Sequence, residues 1–118
     1  MLTVATESLH GVPFLRLTGS VERGDSNDAF VAAIHRLFES SRIVACDLSR
    51  ISSIDSTGVA TLIAAHGLAR SGGGKFLLIK PSPKVQAVLK VTRLLDILDV
   101  FSDDEAALKA VQGGPEKS

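Results

Sequence analysis

Apolar positions along this 118-residue chain switch repeatedly between a strand-like and a helix-like period, and each switch marks an element. Residues 2–7 and 12–18 predict two short strands joined by a turn at His10-Gly11. Pro13 has no N–H to give to a ladder, which places it on a sheet edge or at the start of its strand. A loop from Gly19 to Gly24 follows. Phe30, Ala33, Ile34, Leu37 and Phe38 then recur at helical spacing, behind Asp25 or Ser26 as the cap. Arg42–Leu48 is β-rich and mostly apolar, as a central strand covered on both faces should be.

After a loop Ser49–Asp55, a second helix is expected from Ser56 to about Arg70. It is apolar almost all round, which predicts that it is largely buried. Ser71-Gly72-Gly73-Gly74 closes it with a left-handed glycine, and Lys75–Lys80 is the next strand. Ser82 caps a third helix with Pro83 at its first position, where the missing N–H has no consequence. That helix carries Val85, Val88 and Leu89. Leu98–Phe101 reads as a last short strand. Ser102, with Glu105 three residues on, reads as a capping box for a final helix reaching about Val111.

The order is therefore ββαβαβαβα. It predicts an α/β fold: a mixed sheet of four to five strands, with an N-terminal antiparallel hairpin, the other strands mainly parallel, and about four helices. Residues 1–112 are expected to form one domain, and residues 113–118 a flexible tail. A chain of this length buries roughly two-thirds of its surface on folding, enough for one core without disulfides or a metal.

Composition narrows the possible functions. Thirteen basic and thirteen acidic residues cancel, which removes the electrostatic drive of a general nucleic-acid binder. Trp and Tyr are absent and the five Phe are scattered, so no aromatic platform for bases is present. Cys46, the one cysteine, allows no internal disulfide and lies in an apolar strand, as an inert core thiol does. No apolar stretch nears the ~20 residues of a membrane-spanning helix. The N-terminus has no basic region followed by a long apolar run, as a secretory signal has. A cytoplasmic protein with no nucleic-acid partner and no membrane insertion is expected.

Catalytic patterns fail one after another. Gly67–Lys75 is no phosphate loop, because Ala69 and Phe76 break the pattern and the segment lies between a helix and a strand. His10, His35 and His66 share no metal-ligand spacing. Ser56 and His66 are about 15 Å apart along one helix, too far for a nucleophile and its base. Asp55-Ser56-Thr57-Gly58 has its glycine one residue too late for an aspartic-protease motif. No catalytic, cofactor or metal residue is expected. Charge is uneven, however. Ser56 through Leu95 holds no acid but carries Arg70, Lys75, Lys80, Lys84, Lys90 and Arg93, and Asp96, Asp99, Asp103, Asp104 and Glu105 follow at once. Solvated helix faces, with acids at the start of the last helix, account for this more simply than the alternative, a basic surface for an acidic partner.

One segment stands apart: Asp47-Leu48-Ser49, then Ile54-Asp55-Ser56-Thr57-Gly58. It leaves a central strand at the carboxyl end of the sheet, where α/β domains place their sites. Ser56 is placed to cap the following helix, and Gly58 leaves the approach to the first turn open. A plain helix cap and a modifiable switch fit these residues equally. A phosphate on Ser56 would add roughly −1.5 to −2 charges at a helix N-terminus. The fold tolerates that charge there, and a packed partner does not.

These residues resemble the signature of STAS-domain proteins, the anti-sigma factor antagonists. Val44-Ala45-Cys46-Asp47-Leu48-Ser49 leads through Ile54-Asp55-Ser56-Thr57-Gly58-Val59 to Leu62. Leu17-Thr18-Gly19, Gly73-Gly74, Val91-Thr92-Arg93-Leu94-Leu95 and Asp99-Val100-Phe101 also match, and the resemblance spans about residues 3–111. It implies a STAS-like fold and a non-enzymatic partner-switching protein without cofactor. The partners implied are an anti-sigma factor that is a serine kinase of GHKL type and a PP2C-type phosphatase. The implied phosphoacceptor is Ser56, and the implied partner surface is Glu22, Asp55, Ser56, Thr57, Gly58 and Val59. Glu22 stands where the family usually has Asp. Two other roles fit such a domain. One is an accessory subunit of a lipid-transport ATPase complex. The other is a small-ligand or nucleotide sensor using Lys80, Lys84 and Arg93.

Overall fold

A computed structural model describes residues 1–112; the expected tail, 113–118, lies outside the described residues. Five strands form one sheet in sequence order: β1 (Leu2–Leu9), β2 (Val12–Val21), β3 (Ile43–Ile54), β4 (Lys75–Ile79) and β5 (Asp99–Phe101). The β1–β2 pair is antiparallel and every other pair is parallel. The helices are α1 (Asp25–Phe38), α2 (Ser56–Ser71), α3 (Pro83–Val91) and α4 (Asp104–Gln112), with a 3₁₀ turn at Leu94–Asp96. The ββαβαβαβα order and the mixed sheet are those the sequence predicts.

Because the parallel strands step across the sheet in one direction, right-handed crossovers put α1, α2 and α3 on the same face. The main core fills that side, from Leu15, Leu17, Phe30, Ile34, Val44, Cys46, Leu62, Phe76 and Leu89, all buried. The other face is left to α4, whose Ala107 and Leu108 cover Phe14, Ala45, Leu77 and Ile79. Pro13 sits at the start of β2 opposite Ser8, ahead of the first β2–β3 pair at Phe14 and Ala45. Cys46 is fully buried, and burial, helped by neighbouring Asp47, pushes its thiol well above the ordinary range.

Several expectations are corrected. The loop at 19–24 begins only at Glu22, because β2 bulges between Gly19 and Ser20 and stays paired to Val21. The loop at 49–55 is instead the second half of β3, paired with β2 as far as Val21–Ile54. Its serines hide an inward Ile51, and Ser52 Oγ donates to the Gly19 carbonyl at 3.1 Å. Helix α1 follows Gly24 with no side-chain cap. Ser26 is instead used by the loop: it accepts from Glu22 N–H at 3.0 Å and donates to the Glu22 carbonyl at 2.9 Å. The last helix is capped by Asp103, not Ser102: Ala106 N–H donates to its carboxylate at 2.8 Å. Ser82 does cap α3, accepting from Val85 N–H at 3.4 Å, and its hydroxyl also donates to the Ile51 carbonyl at 2.6 Å. Finally, α2 is not largely buried. Ser56, Ala60, Ile63, Ala64, Gly67 and Leu68 face solvent, with Ile63 46% exposed.

Candidate functional site

At the carboxyl ends of β2 and β3, the loop after β2 and the start of α2 meet around one side chain, Asp55. Its backbone N–H donates to the Val21 carbonyl at 3.3 Å, which continues the β2–β3 ladder by one step. One carboxylate oxygen accepts from Gly58 N–H at 3.0 Å and caps α2. The other accepts from Arg23 N–H at 2.9 Å and ties down the loop. The cap is therefore Asp55 and not Ser56. An extended carboxylate one residue earlier reaches the same N–H groups, and that leaves Ser56 at the first helical position, exposed.

The Arg23 N–H and then the Gly58 N–H hold the Asp55 carboxyl below its ordinary value. A group depressed in the fold stabilises it above the unfolded carboxyl value and loses that contribution as pH falls through its folded value. Asp47 behaves in the same direction. Burial alone would raise it, but hydrogen bonds from the Ser49 N–H and hydroxyl, with Lys80 and Arg16 beside it, bring it down. The denaturation midpoint is thus expected to be flat above pH ~5 and to fall steadily below pH ~4. Urea titrations across that range check this, and Asp55→Asn should blunt the fall. A midpoint unchanged down to pH ~3 contradicts it.

Glu22 stands on the same rim, its carboxylate accepting from Ser53 Oγ at 2.9 Å. Glu22, Asp55, Ser56 and Thr57 are thus brought together as the sequence suggests. Gly58 and Val59 turn the other way. Gly58 is buried, and a Cβ there would stand 2.6 Å from the Val21 carbonyl oxygen and 2.7 Å from Ile54 Cγ1. Its missing side chain lets α2 close onto β2, rather than opening the turn to the outside. Val59 is half-buried against the core. Thr57 is half-buried, and its carbonyl accepts from Thr61 Oγ1 at 3.2 Å. Thr61 also donates to Asn27 Oδ1 at 2.8 Å, which links α2 to α1 under the site.

Sequence reasoning missed Arg23, Ser26, Asn27 and Ser53. A signal existed for Asn27 alone: it lies on the buried row of α1 with Phe30 and Ile34, where a polar residue needs a partner.

On the opposite face, Arg16 gathers three carboxylates. It donates to Asp47 at 3.0 Å, to both oxygens of Asp104 at 3.1 Å, and to Glu7 at 3.0 Å. Lys80 Nζ lies 3.8 Å from Asp47 and 3.9 Å from Asp104, so this member of the basic stretch already has acidic neighbours. Asp104, read as a simple complement to a helix dipole, is a fastener between α4 and the sheet. Among the described residues, no group of three His, Cys, Asp or Glu side chains stands close enough to hold a metal ion. No helix there is long and apolar enough to cross a membrane.

A sheet of this order, with an exposed serine beside a capping aspartate at the start of α2, is the α/β arrangement that the motif's resemblance implies. The STAS-domain family model matches residues 3–107, and the chain belongs to that family. It is 35% identical over 66 residues to a Thermotoga neapolitana protein named as a candidate anti-sigma factor antagonist, covering 56% of this chain and 58% of that one. The chain spans about 58% of the length of the curated relatives it matches. Among solved structures, a candidate anti-sigma factor antagonist from Thermotoga maritima superposes with a TM-score of 0.85 at 22% identity, covering 92% of this chain and 94% of that one. The Bacillus cell fate determinant SpoIIAA, in its phosphorylated form, superposes with a TM-score of 0.70 at 19% identity, covering 93% and 100%. These structural likenesses establish the fold.

Proposed function

We propose that this chain is an anti-sigma factor antagonist that works by partner switching in the cytoplasm. In this reading the unphosphorylated form binds an anti-sigma factor that is also a serine kinase of GHKL type, and the sigma factor is released. Phosphate on Ser56 breaks that complex, and a PP2C-type phosphatase restores it. The ATP and hydrolytic chemistry belong to the partners, and this chain contributes an acceptor and a surface, with no catalysis and no cofactor of its own.

The observation that carries the reading is the exposed Ser56 hydroxyl at the first position of α2, with Asp55 holding the cap and Glu22 on the adjoining rim. The free N–H groups of a helix start accommodate a phosphate, so the fold survives modification. Two carboxylates already border the serine, so a further −1.5 to −2 charges cannot be desolvated under a packed partner. Ser56 rather than Thr57 is the acceptor because Thr57 is half-buried. Glu22, Asp55, Ser56 and Thr57 form the contact surface, and Gly58 and Val59 seat it. The names of the relatives support this reading, as does the fact that a domain of this fold has been solved in a phosphorylated form.

The test is calorimetric titration with the cognate anti-sigma factor. Ser56→Ala should bind like the unmodified chain and refuse phosphate, and Ser56→Asp should bind about tenfold or more weakly. Equal affinity for both variants contradicts the reading.

A further inference from the structure

Strand β1 (Leu2–Leu9) is one edge of the sheet, and it carries none of the devices that keep an edge from pairing. It has no Pro, Lys or Arg, and its register with β2 runs without a bulge. Its one charge, Glu7, does not guard the edge but turns back to Arg16 of β2 at 3.0 Å. Thr3 and residues 5–8 are exposed. The opposite edge is blunted in the ordinary way, because β5 has only 3 residues.

Which backbone groups lie open follows from the hairpin. His10 and Gly11, at φ 51° and 80°, form a two-residue turn, which closes on a hydrogen-bonded pair, Leu9 with Val12. Such pairs alternate along an antiparallel ladder. Thr3, Ala5, Glu7 and Leu9 therefore face β2, as the Met1 carbonyl does in accepting from Ser20 N–H at 3.1 Å. Pro13, with no N–H to exchange, falls opposite Ser8 in the complementary set. Leu2, Val4, Thr6 and Ser8 turn their N–H and C=O groups outward, where no strand among the described residues receives them.

The strand is its own complement, and that selects the occupant. Reversed about Ala5, it sets Leu2 against Ser8, Thr3 against Glu7, Val4 against Thr6 and Ala5 against itself. Outward residues meet outward residues, so each such pair exchanges two hydrogen bonds. Ala5 falls at the close, non-hydrogen-bonded position, with about 4.5 Å between Cα atoms, where a small side chain fits. The two Glu7 carboxylates stand roughly 13 Å apart along the strands, beyond strong repulsion. An axis at Thr6 would halve that separation and run the pairing into the His10-Gly11 turn, and an axis at Val4 would leave Ser8 unpaired. Leu2 and Val4, half-buried at the margin of the core, gain Ser8 and Thr6 of the second copy as flanking neighbours. Strand β5 offers too few residues to take this place head to tail.

We propose that β1 pairs antiparallel with β1 of a second copy of this chain, about a two-fold axis at Ala5, and joins two five-stranded sheets into one. Ser56 stands at the start of α2, which follows β3, so the pairing leaves it open.

Sedimentation equilibrium of the purified chain, from low to high micromolar, tests the proposal, together with amide exchange over the same range. A concentration-dependent dimer is expected. As it forms, the amides of Val4, Thr6 and Ser8 should slow, while those of Ala5 and Glu7, already bonded within the hairpin, should not change. Thr6→Pro removes an outward N–H and no bond of the hairpin, and should weaken the dimer about tenfold or more with the circular dichroism spectrum unchanged. Ala5→Glu, which sets two like charges together on the axis, should do the same. Ala5→Cys should cross-link two chains under mild oxidation far faster than Thr3→Cys, whose copies stand roughly 13 Å apart, and Cys46 is buried and silent. A chain that is monomeric throughout overturns the proposal, as does a dimer in which the Val4, Thr6 and Ser8 amides stay fast. Equal cross-linking of Ala5→Cys and Thr3→Cys overturns it too. If those amides slow only when an anti-sigma factor is added, the edge belongs to that partner and the self-pairing fails. Loss of pairing leaves the partner-switching reading intact.

Discussion

Gly58→Ala is expected to destabilise the fold by about 2 kcal/mol, against the helix propensity of alanine, which favours the change by about 1 kcal/mol. The added methyl group meets the Val21 carbonyl oxygen and the Ile54 side chain at distances no relaxed contact tolerates. One neighbour is backbone, held by the pairing of β2 with β3 and by the Asp55 N–H, so it cannot simply rotate away. The start of α2 must lift off β2, and the Asp55–Arg23 tie stretches with it. A fall in melting temperature of roughly 6–10 °C is the expected reading for a chain of this size. Gly67→Ala is the internal control at low protein concentration. Position 67 has nothing within 4 Å, so the same change on the same helix should stabilise by about 0.5–1 kcal/mol. If both substitutions stabilise, the close approach of α2 to β2 is wrong.

Arg16→Met is expected to weaken the fold by a comparable amount or more, about 2–3 kcal/mol. Removing one partner of a buried ion pair costs about 3–5 kcal/mol, and the 23% exposure of the Arg16 side chain lowers that figure. Asp47, only 12% exposed, is left facing Lys80 at 3.8 Å. Asp104 loses a two-pronged partner at the start of α4, so the cover over Phe14, Ala45, Leu77 and Ile79 loosens. Faster amide exchange in α4 than in α1 is the local signature. Adding Asp47→Asn to Arg16→Met should recover part of the loss, because the least exposed carboxylate of the cluster is then neutral, Asp104 keeps Lys80 and Glu7 is solvated. Two losses that simply add argue that the cluster is not a coupled unit.

How far the sequence could be read depended on how local each cause was. The Ser82-Pro83 cap acts within a few residues and is visible in the chain, as are the alternation of strands and helices and the apolar setting of Cys46. The start of α2 at Ser56 was legible, but its cap was misplaced by one residue because Asp55 and Ser56 can both cap. The choice follows from where the β2–β3 ladder ends, through the hydrogen bond from Asp55 N–H to the Val21 carbonyl. The second half of β3 looked like a loop because its serines carry no strand signal. Its partner is the bulged end of β2, some thirty residues away in sequence. Burial of α2 was overread because alanine, glycine, leucine and isoleucine read as apolar in the chain whether they face the core or, as Ala60, Ile63, Ala64, Gly67 and Leu68 do, the solvent. The Arg16 cluster joins residues 31 and 88 positions apart, and no local pattern announces it. The candidate site was legible as a motif, but its working parts were not. Asp55 as a two-way tie and Ser53 as the hold on Glu22 emerge only when the strands are laid side by side.

The claim that matters most is that Ser56 is the acceptor of a regulatory phosphate. Incubation of the chain with its cognate anti-sigma factor kinase and ATP, followed by phosphopeptide mass spectrometry, tests it directly. The account predicts one phosphate, on Ser56, and none when Ser56 is replaced by alanine. Phosphate on Thr57, or no phosphate at all, contradicts it.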